Sequence, residues 1–230
     1  MTNTSNYVVA TIKPWNVGAY HRHAKELPGH WHLIEDQNGL VLDALRALQP
    51  RYVFFPHWSW KVPKAILEEF ECVCFHMTDV PYGRGGSPLQ NLILRGHSET
   101  RVSALRMVEE MDAGPVYLKR SMALSGRAEA IYERLADLVF DMIAEIVGCE
   151  TVPKPQEGPV VAFTRRKPSD SRLPSEGEVV TLYDHIRMLD APTYPPAFIE
   201  WGDFRFEFGD AELAKDGSVT AKVCMRRRKE

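Results

Sequence analysis

Apolar residues along the chain gather in two ways, as short continuous runs and as stripes recurring every three or four positions. The runs at 7–13, 31–34 and 52–55 read as strands, and 17–26, closed by Leu27-Pro28-Gly29, reads as a helix between the first two. Leu40, Val41, Ala44, Leu45 and Leu48 recur at helical spacing before Pro50 and predict an amphipathic helix. A short helix over 63–70 then leads into a Cys-, Val- and Phe-rich run, 71–75, that closes on His76. Further on, 88–95 reads as a helix stopped by Gly96, and 101–108 and 116–124 as strands. Over 128–147, Ile131, Leu135, Leu138, Val139, Met142, Ile143 and Ile146 form one continuous stripe, the mark of a helix packed on a core.

Strand and helix in this alternation imply right-handed crossovers and an α/β fold, a Rossmann-like, mostly parallel sheet flanked by helices. The first strand is not followed by Gly-x-Gly-x-x-Gly, which argues against a nicotinamide dinucleotide. Expected domains are 1–152, then a linker over 153–178 carrying one short strand at 160–164, then a small extension over 179–230. In that extension Tyr183, Ile186 and Leu189 suggest a short helix, 190–196 a rigid loop, and 198–201 with 204–208 a β-hairpin about Gly202-Asp203.

At 230 residues and 44% hydrophobic, the chain can bury one substantial core. It has no apolar run long enough for a membrane span and no secretory layout at its N-terminus, so a cytoplasmic protein is expected. Its 28 basic and 31 acidic residues are interspersed, which argues against a nucleic-acid partner. The closing basic run, 226–229, reads as a solvated, mobile tail. Cys72, Cys74, Cys149 and Cys224 form no Cys-x-x-Cys pair and read as reduced thiols. The His21/His23 and His30/His32 pairs alternate without nearby carboxylates in a metal-type spacing, so no metal is expected.

Candidate chemistry concentrates at 74–88 and 110–114. A strand ending in His76 delivers a polar side chain to the sheet edge where open α/β sheets bind ligands. Gly83, Gly85 and Gly86 permit tight turns, Ser87 suits an N-cap and Pro88 the first helical position. Such a corner, with Arg84 beside it, favours an anionic or carbonyl ligand.

The spacing of His76, Pro81, Arg84-Gly85 and Pro88, followed by Asp112-Ala-Gly114, resembles the formyltransferase family that uses N10-formyltetrahydrofolate. The resemblance covers roughly 50–170 well. Where the family has an Asn two before the His, this chain has Cys74. The resemblance makes 1–152 the catalytic domain, with His76 as oxyanion donor, Asp112 managing the amine's proton and Cys74 in the missing amide's place. Three readings of Cys74 stand open: a packing thiol, a weak S–H donor, or a thiolate that itself takes the formyl group. Side chains two apart on a strand are about 6.6 Å apart, which places the thiol out of direct reach of His76. Asn91, Thr78 or a backbone N–H could supply the absent donor.

Family likeness further implies a pterin pocket from Trp58, Ser59 and Trp60 and from the backbone of Val108, Glu109 and Met111. Acceptor contacts would come from Lys13, Trp15, Asn16, Thr78, Tyr82, Arg84 and Tyr194. The C-terminal tail resembles that of the sugar N-formyltransferases and is shorter than the domain with which methionyl-tRNA formyltransferases hold tRNA. The expectation is therefore formyl transfer to a nucleotide-linked amino sugar of a bacterial surface glycan, by a homodimer. The alternatives are a formyltetrahydrofolate hydrolase and a catalytically degenerate folate or nucleotide-sugar binding protein.

Overall fold

A computed structural model describes residues 4–228. Two compact units interleave along the chain: the first takes 1–85, 101–122 and 133–162, the second 86–100, 123–132 and 163–230.

The first unit is built on a six-stranded sheet. Its strands β1 (Asn6–Ala10), β2 (His30–Ile34), β3 (Tyr52–Phe55) and β4 (Cys72–His76) run parallel in the order β2-β1-β3-β4. β5 (Tyr82–Gly85) lies outside this sheet, and β6 (Glu99–Arg106) joins it antiparallel to β4, followed by β7 (Val116–Ala123) at the edge. Strand order reverses at β1, so the crevice at the carboxyl ends of β1 and β3 is the position where such sheets take ligands.

Register explains both faces. Val8 pairs Val53, Val53 pairs Cys72 and Phe55 pairs Cys74, so these side chains share a face with Ala10. On that face Leu45 of α2 (Leu42–Leu48) and Ile66 of α3 (Lys64–Glu69) complete a fully buried cluster. The opposite face is aromatic: Tyr7 stacks on Trp31 at 4.7 Å, and Phe54 lies 5.4 Å from Tyr52 and 6.3 Å from Phe75. Helix α1 (Pro14–His23) begins three residues earlier than its apolar pattern suggests, because Pro14 fits the first turn. It is tied to the long helix α5 (Ala128–Cys149), which follows α4 (Pro88–Leu94) along the chain, by Arg22 and His23 on Asp137 at 2.7 and 2.9 Å and by His23 stacked on Phe140 at 5.5 Å. None of the helices among the described residues is long and apolar enough to cross a membrane.

After β8 (Val161–Phe163), the second unit adds α6 (Val179–Arg187) and a three-stranded antiparallel sheet, β9 (Ala197–Trp201), β10 (Phe204–Leu213) and β11 (Val219–Arg227). Buried Arg187 organises it, donating to the carbonyls of Leu124 at 2.6 Å and Gly126 at 2.9 Å. Gln90 of α4 donates to Met188 O at 3.0 Å.

Two expectations need correction here. The expected hairpin about Gly202-Asp203 is present as β9 and β10, and it gains a third strand, β11, a largely exposed edge strand whose polar residues mask its period. Arg226 and Arg227 accordingly lie in that strand, with Arg226 on Glu207 at 3.1 Å, and are no tail; Lys229 lies outside the described residues. Ser87 precedes α4 in the left-handed region (φ 54°) and caps nothing, its hydroxyl accepting instead from the Arg166 N–H at 3.1 Å.

Leu45 is fully buried where α2 meets β1 and β3, so Leu45→Ala should cost about 2–5 kcal/mol, read as a lower urea midpoint at unchanged slope.

Candidate active site

Strand β4 ends at His76, 8% exposed, on the same side of the strand as Cys72 and Cys74. The chain then turns back, and β5 brings the Gly83 carbonyl to 2.7 Å from His76 Nε2. A carbonyl only accepts, so Nε2 carries hydrogen and the ring offers its other nitrogen, Nδ1, to chemistry. Nδ1 lies 3.6 Å from Asp112 Oδ2, and the same oxygen accepts the Gly85 N–H at 2.9 Å.

Asp112 sits in the left-handed region at φ 55°. Two residues on, a Cβ at Gly114 would stand 1.8 Å from the Arg106 carbonyl oxygen, so only glycine lets this corner press against the end of β6. Gln156 closes the corner from the segment expected to be linker. Its Nε2 donates to the Asp112 and Gly114 carbonyls at 2.7 and 2.8 Å, and its Oε1 accepts from Arg84 Nε and Nη2 at 3.1 and 2.9 Å. Nothing in the sequence marks Gln156, since its partners are main-chain atoms and an arginine distant along the chain.

Cys74 packs against the buried cluster under the sheet. Burial, and then the charge of Asp112, push its thiol well above the ordinary range, while burial pushes Cys72 up to about 12. Both cysteines are free thiols, and burial favours the neutral form of each over the thiolate. Thr78 is fully buried, its hydroxyl donating to Gly83 O at 3.3 Å and its carbonyl accepting from Ser103 at 2.7 Å; it braces the turn. The Asn91 amide is committed to carbonyls of its own unit, Gly86, Ser87 and Thr164, at 3.0–3.1 Å. Neither side chain is available as the donor that Cys74 lacks.

A second group gathers where β1 and β3 end. Thr11 Oγ1 and Asn16 Nδ2 both donate to Pro56 O, at 2.6 and 3.3 Å, and hold the two strand exits together. Lys13 Nζ lies 5.7 Å from the Trp15 ring, and Trp15 and Asn16 are buried. Burial and then the Lys13 charge lower His57 to about 3, which keeps it neutral. Trp58 stands 5.9 Å from Phe55 and 5.0 Å from Trp60, and its Nε1 is buried with no hydrogen-bond partner among the described residues. Met107, which leads into the next loop, packs against the same buried cluster as Trp58. In that loop Val108 and Met111 are exposed, and Glu109 lies 3.6 Å from Lys64. Ser59 is exposed and Tyr82 half-buried. The first unit thus brings together Cys74, His76, Thr78, Arg84 and Asp112. Tyr194 belongs to the second unit, stacked on Tyr132 at 5.3 Å.

The first unit is a mostly parallel α/β sheet carrying a backbone-anchored His opposite an Asp-x-Gly corner. The chain belongs to the formyltransferase family. Residues 168–226 match the family model described as methionyl-tRNA formyltransferase, C-terminal domain. A solved methionyl-tRNA formyltransferase from Clostridium thermocellum is 41% identical, with a TM-score of 0.94 over 97% of this chain and 100% of that one. The methionyl-tRNA formyltransferase of Streptococcus gordonii is 30% identical over 146 residues, covering 60% of this chain and 46% of that protein. The chain spans about half the length of the curated relatives it matches. A sugar N-formyltransferase from Shewanella shares the fold, with a TM-score of 0.61 at 14% identity over 98% of this chain and 99% of that one.

Iodoacetamide at pH 8 should label the exposed Cys149 and Cys224 in the folded protein and spare Cys72 and Cys74, read by peptide mass spectrometry. Labelling of Cys74 at the pace of Cys149 would favour the thiolate reading.

Proposed function

We propose that this chain transfers the formyl group of N10-formyltetrahydrofolate to the primary amine of a nucleotide-linked amino sugar. The observation that carries the reading is the fixed His76 ring, with Nε2 spent on Gly83 O and Nδ1 3.6 Å from Asp112 Oδ2.

The neutral amine attacks the formyl carbon, a carbon–nitrogen bond forms, and the carbonyl oxygen gains negative charge. His76 can answer that charge only through Nδ1–H, which requires the ring to hold both its protons, and the Asp112 carboxylate faces that nitrogen at 3.6 Å. The amine's surplus proton passes to Asp112, directly or through water, and a proton is delivered to N10 as the bond to tetrahydrofolate breaks. The exposed Trp60, Val108 and Met111, with Trp58 and Ser59 and the backbone about Glu109, offer an apolar wall for the pterin. Lys13, Trp15, Asn16, Tyr82 and Arg84 of the first unit stand for the acceptor.

An amino sugar is favoured over tRNA by charge: 28 basic residues against 31 acidic leave no surplus for a phosphate backbone. The tRNA reading is favoured by the names of the relatives: the 41%-identical Clostridium structure, the Streptococcus protein and the family model over 168–226.

Turnover with N10-formyltetrahydrofolate, offered nucleotide-linked amino sugars and methionyl-tRNA side by side, decides between them. A sugar product heavier by one formyl group is expected, reduced about 10²–10³-fold by His76→Ala and about 10²–10⁴-fold by Asp112→Asn. Cys74→Asn, which restores an amide donor, should raise kcat. Formyl-methionyl-tRNA as the sole product would overturn the sugar reading, and tetrahydrofolate release without any acceptor product would replace transfer by hydrolysis.

The reading includes a homodimer formed through the second unit. Strand register puts Trp201, Phe204 and Met225, 74%, 50% and 68% exposed, on one face of the sheet. Sedimentation equilibrium should give twice the chain mass, and Trp201→Glu with Met225→Glu should return it to the monomer.

A further inference from the structure

We infer that Gln156 is a positioning residue for the reaction, the tie that holds the Asp112 carboxylate against His76 and orients Arg84. This deepens the formyl-transfer reading and rests on it.

Gln156 uses the whole hydrogen-bonding capacity of its amide. Both Nε2 hydrogens go to carbonyls of the acidic corner, Asp112 O at 2.7 Å and Gly114 O at 2.8 Å. Both Oε1 lone pairs receive one edge of the Arg84 guanidinium, Nε at 3.1 Å and Nη2 at 2.9 Å. Arg84 precedes Gly85, whose N–H donates to Asp112 Oδ2 at 2.9 Å. The contacts therefore close into a ring: Asp112 carboxylate to Gly85 N–H, along the chain to Arg84, across its guanidinium to Gln156, and back to the Asp112 carbonyl.

What the ring restrains is a conformation that Asp112 would not hold alone. A non-glycine residue at φ 55° is strained, and its carboxylate reaches His76 only while the backbone stays there. Gln156 is itself fixed from behind, because Lys154, two residues earlier, exchanges both backbone hydrogen bonds with Val116 at 2.7 and 2.8 Å. The guanidinium edge facing Gln156 is consumed by it, which leaves Nη1, near Glu110 Oε1 at 3.5 Å, as the end of Arg84 that can take an acceptor anion in place of Glu110. The same amide thus sets the aim of the proton acceptor and of the cation, two groups 28 positions apart in the sequence, from a third segment that touches neither reacting atom.

Replacing Gln156 by methionine keeps the length of the side chain and removes all four hydrogen bonds. In Gln156→Met, kcat should fall roughly 10- to 100-fold, the scale of a misplacement of about 1 Å, while KM for N10-formyltetrahydrofolate stays within about 3-fold. An activity-independent reading comes from amide hydrogen exchange by NMR. The Gly85 N–H should exchange at least about tenfold faster than in the wild type, with the β4 amides unchanged. Gln156→Asn, which keeps the amide but withdraws it by one methylene, gives the same measurement if the methionine variant does not fold. Wild-type exchange at Gly85 in these variants overturns the tie, as does faster exchange with unchanged kcat. A wild type that turns over no acceptor refutes the formyl-transfer reading and with it the catalytic half of this inference, while Gly85 exchange still decides whether Gln156 holds the corner.

Discussion

The chemistry of the site depends on one hydrogen bond, from His76 Nε2 to the carbonyl of Gly83. A backbone carbonyl cannot donate and does not titrate, so it fixes which ring nitrogen is spent and which is left. Had Nε2 faced a hydroxyl or water, the two tautomers would compete and the nitrogen facing Asp112 would be undefined. The Gly83 carbonyl is held in place by Thr78 from beneath, and Thr78 in turn by Ser103 on β6. The orientation of one ring is therefore traceable to a strand on the antiparallel side of the sheet.

Cys74 shows how the sheet constrains what can stand beside that ring. Its register partner is Phe55, and both face the apolar cluster covered by α2 and α3. An ionised sulfur there would face both desolvation and the neighbouring Asp112 charge, so the position accepts a neutral group only. An asparagine amide and a cysteine thiol both satisfy that demand. They differ in the donor they present.

Much of this was legible in the sequence because the relevant signals are local. The continuous apolar runs at 52–55 and 72–76 and the long stripe of α5 have unambiguous periods, and the His76 to Pro88 spacing survives without any structure. Local reading failed where the deciding contact is distant. Ser87 looks like a cap until Arg166, 79 positions later, claims its hydroxyl. Strand β11 has half its apolar residues exposed, so no period announces it, and only pairing with β10 makes Arg226 and Arg227 part of a sheet. Gln156 lies in a proline-flanked segment whose composition reads as connector, although four hydrogen bonds end on it.

The interleaving of the two units bears on how the polypeptide acquires its structure. The chain passes from one to the other five times, after 85, 100, 122, 132 and 162. Neither unit corresponds to a contiguous stretch, so neither can be completed while the ribosome is still short of 162: the acidic corner waits for the amide at 156, and Arg187 must emerge before its carbonyl partners at 124 and 126 find a donor. Such a chain carries a large share of long-range closures, and its first unit has all its segments only once residue 162 has been made. A break anywhere in the middle leaves segments of both units on either side, so neither unit exists as one contiguous fragment of this chain.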